Sequence, residues 1–511
     1  MEVVDLTEET PEKESEAAPT GKILRNMGVL VIGQAATVPL VFATSVLLVR
    51  HLGSEGFGEY AFVYAFVGLF TWLATFGMEN IVVREASKDP EQAGEIWGSA
   101  FVTAALASLA AAALAIGVAL VSGYSSGKLL VLAGIEIIAL ATPRLVLVAF
   151  QVHLQQWKGV ATNFGRQVAW LGAVVLLVRS GASVGQLVFW RVVIAAIETG
   201  INVFLARNLL GRPLKFSRPR FRYLLGEGWP LALTYLSIGV YHRIDRVLLE
   251  RFVGPSELGY YAAGDNILTF FTVIPLAFMM SVYPILCRRL DQQHAFDRIA
   301  RSSYRLTLFW IVGACGTLYG ISYPVVTTLY GDEFAFTAKL MNILLLSQVA
   351  SAYGVVISQV MIAKSRQRLI TVTTVAGAVI NVGANLYALP RWGAVGAAWV
   401  TVGSYWTAGI LLYHAFPSAR HDSKIGLGVL ARVSVVGAVA FGVPHLAFDG
   451  YLAPVASGMM LFVAGSLLAR IVGRGDIDLL RRAIKREMPP DDPAALAEEE
   501  TLLEVSRSET T

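Results

Sequence analysis

VLLVRHLGSEGFGEYA (46–61) and VLLERFVGPSELGYYA (247–262) align without a gap at an offset of 201 residues. Val46, Leu47, Leu48, Arg50, Gly53, Gly58, Tyr60 and Ala61 each meet the same residue type in the second copy. Both stretches join two apolar runs through a glycine-containing turn, and the matched glycines and tyrosine lie in and just after that turn. Chance similarity between apolar helices gives no reason for such a match. Six spans separate equivalent points, an even number, so both copies cross in the same direction. The pattern is a parallel repeat about an axis along the membrane normal, as in several transporters. A shorter echo pairs RSGA (179–182) with RWGA (391–394).

The 511 residues are 55% hydrophobic and 15% charged, with a mean hydropathy of +0.59. Soluble domains carry about 25% charged residues. The composition therefore sets an all-α integral membrane protein. With about 20 apolar residues per crossing, spans are expected near 27–49, 59–77, 97–121, 129–152, 159–178, 184–207 and 228–252. Seven more follow near 261–287, 304–328, 338–362, 369–389, 394–415, 426–446 and 452–472. These fourteen divide into two six-helix lobes, 22–210 and 224–417, joined by a basic linker at 211–223. Two extra C-terminal helices occupy 418–473. Residues 1–21 are expected to be a disordered acidic tail, and 474–511 a tail holding an amphipathic piece, DIDLLRRAIKRE (476–487).

Basic residues cluster on alternate loops. One set holds Arg207, Arg212, Lys215, Arg218, Arg220 and Arg222, then Arg288, Arg289, Arg298, Arg301 and Arg305, then Lys364, Arg366 and Arg368, then Arg420 and Lys424. Opposite loops carry mostly single basic residues. The bias puts both termini in the cytosol, with the chain in the cell membrane. The N-terminus has no basic segment or cleavage site of a signal peptide. Cys287 and Cys315 suggest no disulfide framework or metal site. His153, His242, His294 and His421 lack metal-ligand spacing, and no Walker motif is present. No enzyme is expected, and the short loops leave no room for a catalytic domain.

Charges inside spans are expensive and usually face a cavity or a partner. Arg144 lies eight residues from the inner end of helix four, roughly 12 Å deep. Arg166 is similarly deep in helix five. Arg191 and Glu198 share a face of helix six, and Asp265 is near the outer end of helix eight. Helix seven carries Arg243, Asp245 and Arg246, with Glu250 one turn beyond Arg246 as a candidate surface partner. The matching positions of helix one are Phe42, Thr44 and Ser45, so the repeat unit spans without these charges. Arg144, Arg166, Arg191, Arg243 and Arg246 are the candidate substrate contacts, and Asp245, Asp265 and Glu198 the orienting or coupling groups. Five guanidiniums against these acids favour an anionic cargo, because the planar fork of Arg matches phosphate oxygens.

RHLGSEGFGEYAF (50–62), GMENIVVREAS (77–87), RIDRVLLERFVGPSELGYYAAGDNI (243–267), LYGDEF (329–334) and LPRWGAVGAAWVT (389–401) occur in this order. Together they resemble polysaccharide-biosynthesis membrane proteins, over about residues 22–472. The likeness is to O-antigen-transporter (Wzx-like) flippases of the multidrug/oligosaccharidyl-lipid/polysaccharide exporter superfamily. The resemblance implies a two-lobed transporter of twelve or fourteen helices that moves lipid-linked oligosaccharide outward by alternating access. It places Asp245 at the acidic position common in helix seven. No cofactor is implied beyond a coupling ion, Na+ or H+. The implied partners are lipid-linked oligosaccharide, membrane lipids and other polysaccharide-assembly proteins, with no nucleic acid. The alternatives are a cation-coupled multidrug exporter of the same superfamily and a membrane-embedded glycan polymerase or ligase. Short external loops count against the last.

Overall fold

A computed structural model describes residues 17–89, 91–122, 127–210, 213–448, 450–473, 475–476 and 479. Among the described residues every regular element is helical. The elements are α1 (Ala17–Thr75), α2 (Met78–Lys88), α3 (Ala93–Ser122), α4 (Gly127–Val152), α5 (Gln156–Arg179), α6 (Val184–Ala206) and α7 (Arg218–Phe252). They continue with α8 (Pro255–Arg288), α9 (Gln293–Tyr330), α10 (Ala335–Ala363) and α11 (Gln367–Trp406). A π-helical stretch (Thr407–Leu411) leads to α12 (Leu412–Ala415), α13 (Pro417–Ala447) and α14 (Leu452–Leu468). Residues 1–16 and nearly all of DIDLLRRAIKRE lie outside the described residues.

The molecule is an all-α membrane protein. Nine helical stretches among the described residues are long and apolar enough to cross a bilayer. Two of them, Ala36–Lys88 with 53 residues and Gln367–Ala415 with 49, far exceed the ~20 residues of one crossing. Each is broken at a glycine with non-helical angles: Gly53 (φ 64°) in α1 and Gly393 (φ 54°) in α11. α7 is 35 residues long yet is not among the nine, because Arg243, Asp245 and Arg246 lower its apolar character. The short helix α2 was not expected. It follows a left-handed break at Phe76 and Gly77.

The described chain falls into two compact units. The first holds residues to Phe270 with Ser322–Leu344 and Thr374–Ser404; the second holds Phe271–Ile321, Leu345–Thr373 and the chain from Tyr405. Within the first unit α1 packs on α5 and α7, α3 on α4, and α4 on α6. Met78, Ile81, Trp97, Leu145, Phe150 and Leu224 form a continuous apolar core between α2, α3, α4 and the start of α7. Arg84 of α2 meets Glu227 of α7 at 3.0 Å, and Arg220 meets Glu85 at 3.3 Å. In the second unit α13 packs on α14. Phe462 lies 5.1 Å from Phe309 and 5.7 Å from Phe441 between ring centroids. Lys364 reaches the buried Asp422 at 2.7 Å.

The repeat is visible as a reciprocal contact inside the first unit. A Cβ on Gly58 would stand 1.7 Å from the Pro255 carbonyl oxygen, and one on Gly259 would stand 1.9 Å from the Ser54 carbonyl oxygen. Gly58 and Gly259 are equivalent at the 201-residue offset, and so are Ser54 and Pro255. The start of α8 and its counterpart in α1 therefore meet backbone to backbone, each glycine leaving space for the other copy. The paired turn glycines also share a conformation only glycine adopts readily: φ is 64° at Gly53 and 110° at Gly254, 70° at Gly181 and 54° at Gly393.

We expect Gly58→Ala to lower the Tm of detergent-purified protein, with a destabilisation of about 2 kcal/mol or more, because the contacted atoms are backbone and cannot rotate away. Gly172→Ala in α5 meets nothing within 4 Å and should leave the Tm unchanged or higher. Equal Tm values for the two variants would contradict the reciprocal packing.

Candidate functional site

The helical segments after the two matched turns each aim two side chains, one turn apart, at a polar cluster. In the first copy the pair is Tyr60 and Tyr64; in the second, 201 residues on, it is Tyr261 and Asp265. Arg191 of α6 reaches the first pair. Its Nη1 donates to Tyr60 Oη at 2.8 Å, and its guanidinium lies 3.9 Å from the centroid of the Tyr64 ring. Glu136 of α4, almost fully buried, places Oε1 3.6 Å from Arg191 Nε. The start of α6 is fixed by a capping box. Ser183 Oγ accepts from the Gln186 N–H at 3.4 Å, and Gln186 Oε1 accepts from the Ser183 N–H at 2.8 Å. Arg191 follows two turns later on a helix whose start is thus defined.

In the second copy Tyr261 Oη donates to Asp245 Oδ2 at 2.5 Å and lies 3.0 Å from Thr401 Oγ1. Asp245 Oδ1 accepts the backbone N–H of Arg246 at 2.9 Å. The Arg246 side chain forms an ion pair with Asp265 of α8. Asn266 Nδ2 donates to Ser45 Oγ at 3.0 Å, and Ser45 is the first-copy counterpart of Arg246. Elsewhere Arg166 Nε lies 2.7 Å from Glu198 Oε2, and its Nη2 donates to Asn163 Oδ1 at 2.8 Å. Arg144 meets Glu79 at 3.8 Å in a half-exposed pair.

Four of the five candidate arginines are thus ion-paired. Arg243 has no carboxylate within 4 Å among the described residues. It lies against Gly68, where a Cβ would stand 3.0 Å from Arg243 Cδ and 3.1 Å from Nε. The charges of Arg246, Asp265, Arg191 and Asp245 all act on it, so the clusters of the two copies are electrostatically continuous around Arg243.

Arg246 takes Asp265, one of the expected orienting groups, as its partner rather than Glu250 on its own helix. Arg144 pairs with Glu79, Arg166 with Glu198 and Arg191 with Glu136, so four of the five guanidiniums meet a carboxylate. Sequence reasoning passed over Glu79 and Glu136. Glu136 stands alone among apolar residues in LVLAGIEIIALA (130–141), and an isolated carboxylate in a span is the signal that would have found it. Among the described residues no group of three or more His, Cys, Asp or Glu side chains is placed to hold a metal ion.

The profile of the polysaccharide biosynthesis protein family matches residues 23–290, and the MatE profile matches residues 230–386. The probable low-salt glycan biosynthesis flippase Agl15 of Haloferax volcanii is 22% identical over 79% of this chain and 86% of its own length. The succinoglycan biosynthesis transport protein ExoT of Rhizobium meliloti is 21% identical, over 64% of this chain and 66% of that protein. Among solved structures, the lipid II flippase MurJ in an inward closed conformation superposes with a TM-score of 0.70 at 14% identity. That superposition covers 86% of this chain and 98% of MurJ, and it establishes a shared fold.

Asp265→Asn strands the Arg246 charge, whose side chain is 14% exposed against 34% for Asp265. Breaking a fully buried pair costs about 3–5 kcal/mol, and the partial exposure of Asp265 brings the expectation to about 1–3 kcal/mol. Combining Asp265→Asn with Arg246→Gln should restore most of the lost Tm. A double variant no more stable than the sum of the single losses would mean that the two side chains are not coupled.

Proposed function

The chain belongs to the polysaccharide biosynthesis protein family, and from that membership we propose that it is a flippase for lipid-(pyro)phosphate-linked oligosaccharide. It would carry this substrate outward across the cell membrane by alternating access, for assembly of surface polysaccharide or glycoprotein. The fourteen spans would leave both termini in the cytosol, as the distribution of basic loop residues supports. No chemical step is required of the protein, so it acts as a transporter and not as an enzyme. Its partners would be the lipid-linked glycan, the surrounding lipids and other polysaccharide-assembly proteins.

The observation that carries the phosphate assignment is Arg243. The other four candidate arginines already face carboxylates, whereas Arg243 is surrounded by charge and is without an ion-pair partner among the described residues. A guanidinium in this state presents a fork suited to bidentate binding of a phosphate group. In this reading Arg144, Arg166, Arg191 and Arg246, with Glu198 and Asp265, shape the path and hold its field. Asp245, with Tyr261 and Thr401 beside it, would take up a coupling cation, Na+ or H+. The MatE match over residues 230–386 supports a second reading, a cation-coupled multidrug exporter.

Arg243→Gln should reduce glycan export about tenfold or more at equal protein level, since charged hydrogen bonds contribute about 1.5–3 kcal/mol. Arg243→Lys should retain part of the activity, because it keeps the charge and loses the fork. Undiminished export by Arg243→Gln would refute the phosphate assignment. Asp245→Asn should make export insensitive to the Na+ or proton gradient; unchanged ion dependence would remove Asp245 from coupling. Drug resistance conferred by the wild-type chain, without glycan export, would decide for the second reading.

A further inference from the structure

The second compact unit holds a cavity of about 230 Å³ that none of the site residues above lines. Four cations surround it: Arg301 of α9, Lys424 and Arg432 of α13, and Arg470 just beyond α14. Its floor is apolar and buried, made by Ile425, Val429 and Ile471. Two more side chains on the lining already have carboxylate partners. Arg305 lies 3.4 Å from Asp476, and His421 lies 2.7 Å from Asp297. The other nearby acid, Asp422, is held by Lys364 at 2.7 Å. The local carboxylates are therefore committed, and among the described residues none lies within 4 Å of Arg301, Lys424, Arg432 or Arg470. Four exposed like charges around one cavity make a local positive field that attracts an anion.

The flanking helices indicate what kind of anion. α14 turns Leu452, Met460 and Leu468 outward, the last at 85% exposure and two residues before Arg470. On α13 beyond Arg432, Val435, Val439, Val443 and Leu446 are exposed as well, with His445 the one exposed polar side chain among them. An outward apolar face ending at a ring of cations is the pattern of a helix pair leaving hydrocarbon for the headgroup layer. We propose that this cavity binds the phosphate of an anionic membrane phospholipid, with its acyl chains lying along α13 and α14. The alternating distribution of basic loops puts the cavity on the cytosolic leaflet, where basic pockets between helices meet anionic headgroups. A free phosphate ion satisfies the cations but makes no use of the apolar flank. The lipid is therefore the occupant both halves of the site fit.

The test is a titration of full-length protein in uncharged detergent, reading the shift in Tm. The probes are short-chain phosphatidylglycerol, phosphatidylcholine with the same chains, and inorganic phosphate. Phosphatidylglycerol should raise the Tm saturably, and the other two should not at the same concentration. Arg301→Gln with Arg432→Gln should weaken phosphatidylglycerol binding about thirtyfold. Arg218→Gln with Arg222→Gln removes the same charge from the exposed start of α7 and should leave binding unchanged. If the first double variant does not fold, Lys424→Gln with Arg470→Gln, both exposed, gives the same reading. Equal responses to the two lipids, or equal losses in both the pocket and the α7 variants, overturn the site. Saturation by inorganic phosphate as strong as by phosphatidylglycerol overturns the lipid and leaves a soluble anion. None of these outcomes depends on glycan export, so the proposal stands or falls apart from the flippase reading.

Discussion

The contact on which the first unit depends is the one between Gly58 and Gly259. Two helical segments approach so closely that neither position can carry a side chain, and each glycine faces the carbonyl four residues, about one turn, before the other, Pro255 for Gly58 and Ser54 for Gly259. This is the self-complementary geometry of a two-fold axis, and here it relates two parts of one chain. The backbone groups freed by the broken turns find partners inside the protein. Glu333 accepts from the Ser54 N–H at 2.8 Å, just after Gly53, and Glu257 accepts from the Ala394 N–H at 2.7 Å, just after Gly393. Arg50 donates to the carbonyls of Thr328 and Leu329 at the end of α9. Its identity with Arg251 in the repeat therefore belongs, at least in the first copy, to the scaffold.

From that scaffold the chemistry diverges. Positions 60 and 261 are both tyrosine, but Tyr60 accepts from a guanidinium while Tyr261 donates to a carboxylate. Positions 64 and 265 are a tyrosine under Arg191 and an aspartate paired with Arg246. Helix one holds Thr44 where helix seven holds Asp245, and Thr44 satisfies its own hydroxyl on the Leu40 carbonyl at 2.7 Å. The first copy therefore receives its cation from α6, and the second carries its cations on the repeat helix itself. A common frame with exchanged charges gives the unit a field that is not two-fold symmetric.

The sequence made the all-α membrane character, the offset of 201 residues and the special role of the turn glycines legible, because each rests on local hydropathy or on identity between copies. It also showed which residues were charged and roughly how deep. The pairings were not legible. Glu198 lies on the same helix face as Arg191, yet it meets Arg166 across to α5. Glu250 follows Arg246 by one turn, yet Arg246 meets Asp265. Helical spacing states which side chains share a face; rotation and depth of neighbouring helices decide which of them touch. Glu79, just inside α2, and Glu136 were passed over for a related reason, since α2 was not expected and Glu136 had no basic neighbour in sequence.

Those partners move the weight of the functional question onto one residue. A guanidinium that faces a carboxylate has part of its fork occupied and its charge largely cancelled. Such an arginine can bind an incoming phosphate only by releasing the acid, which leaves that acid uncompensated in a medium that penalises it. Arg243 faces no such exchange. Gly68 leaves room for its side chain, and any larger residue there would press on Cδ and Nε. A charge at depth costs about 2.5–3.5 kcal/mol on insertion scales, and the first copy dispenses with it by placing Phe42 at the same position. A charge that the frame does not need, and that pairs with no carboxylate among the described residues, is where the proposed reading places an anion arriving from outside the chain.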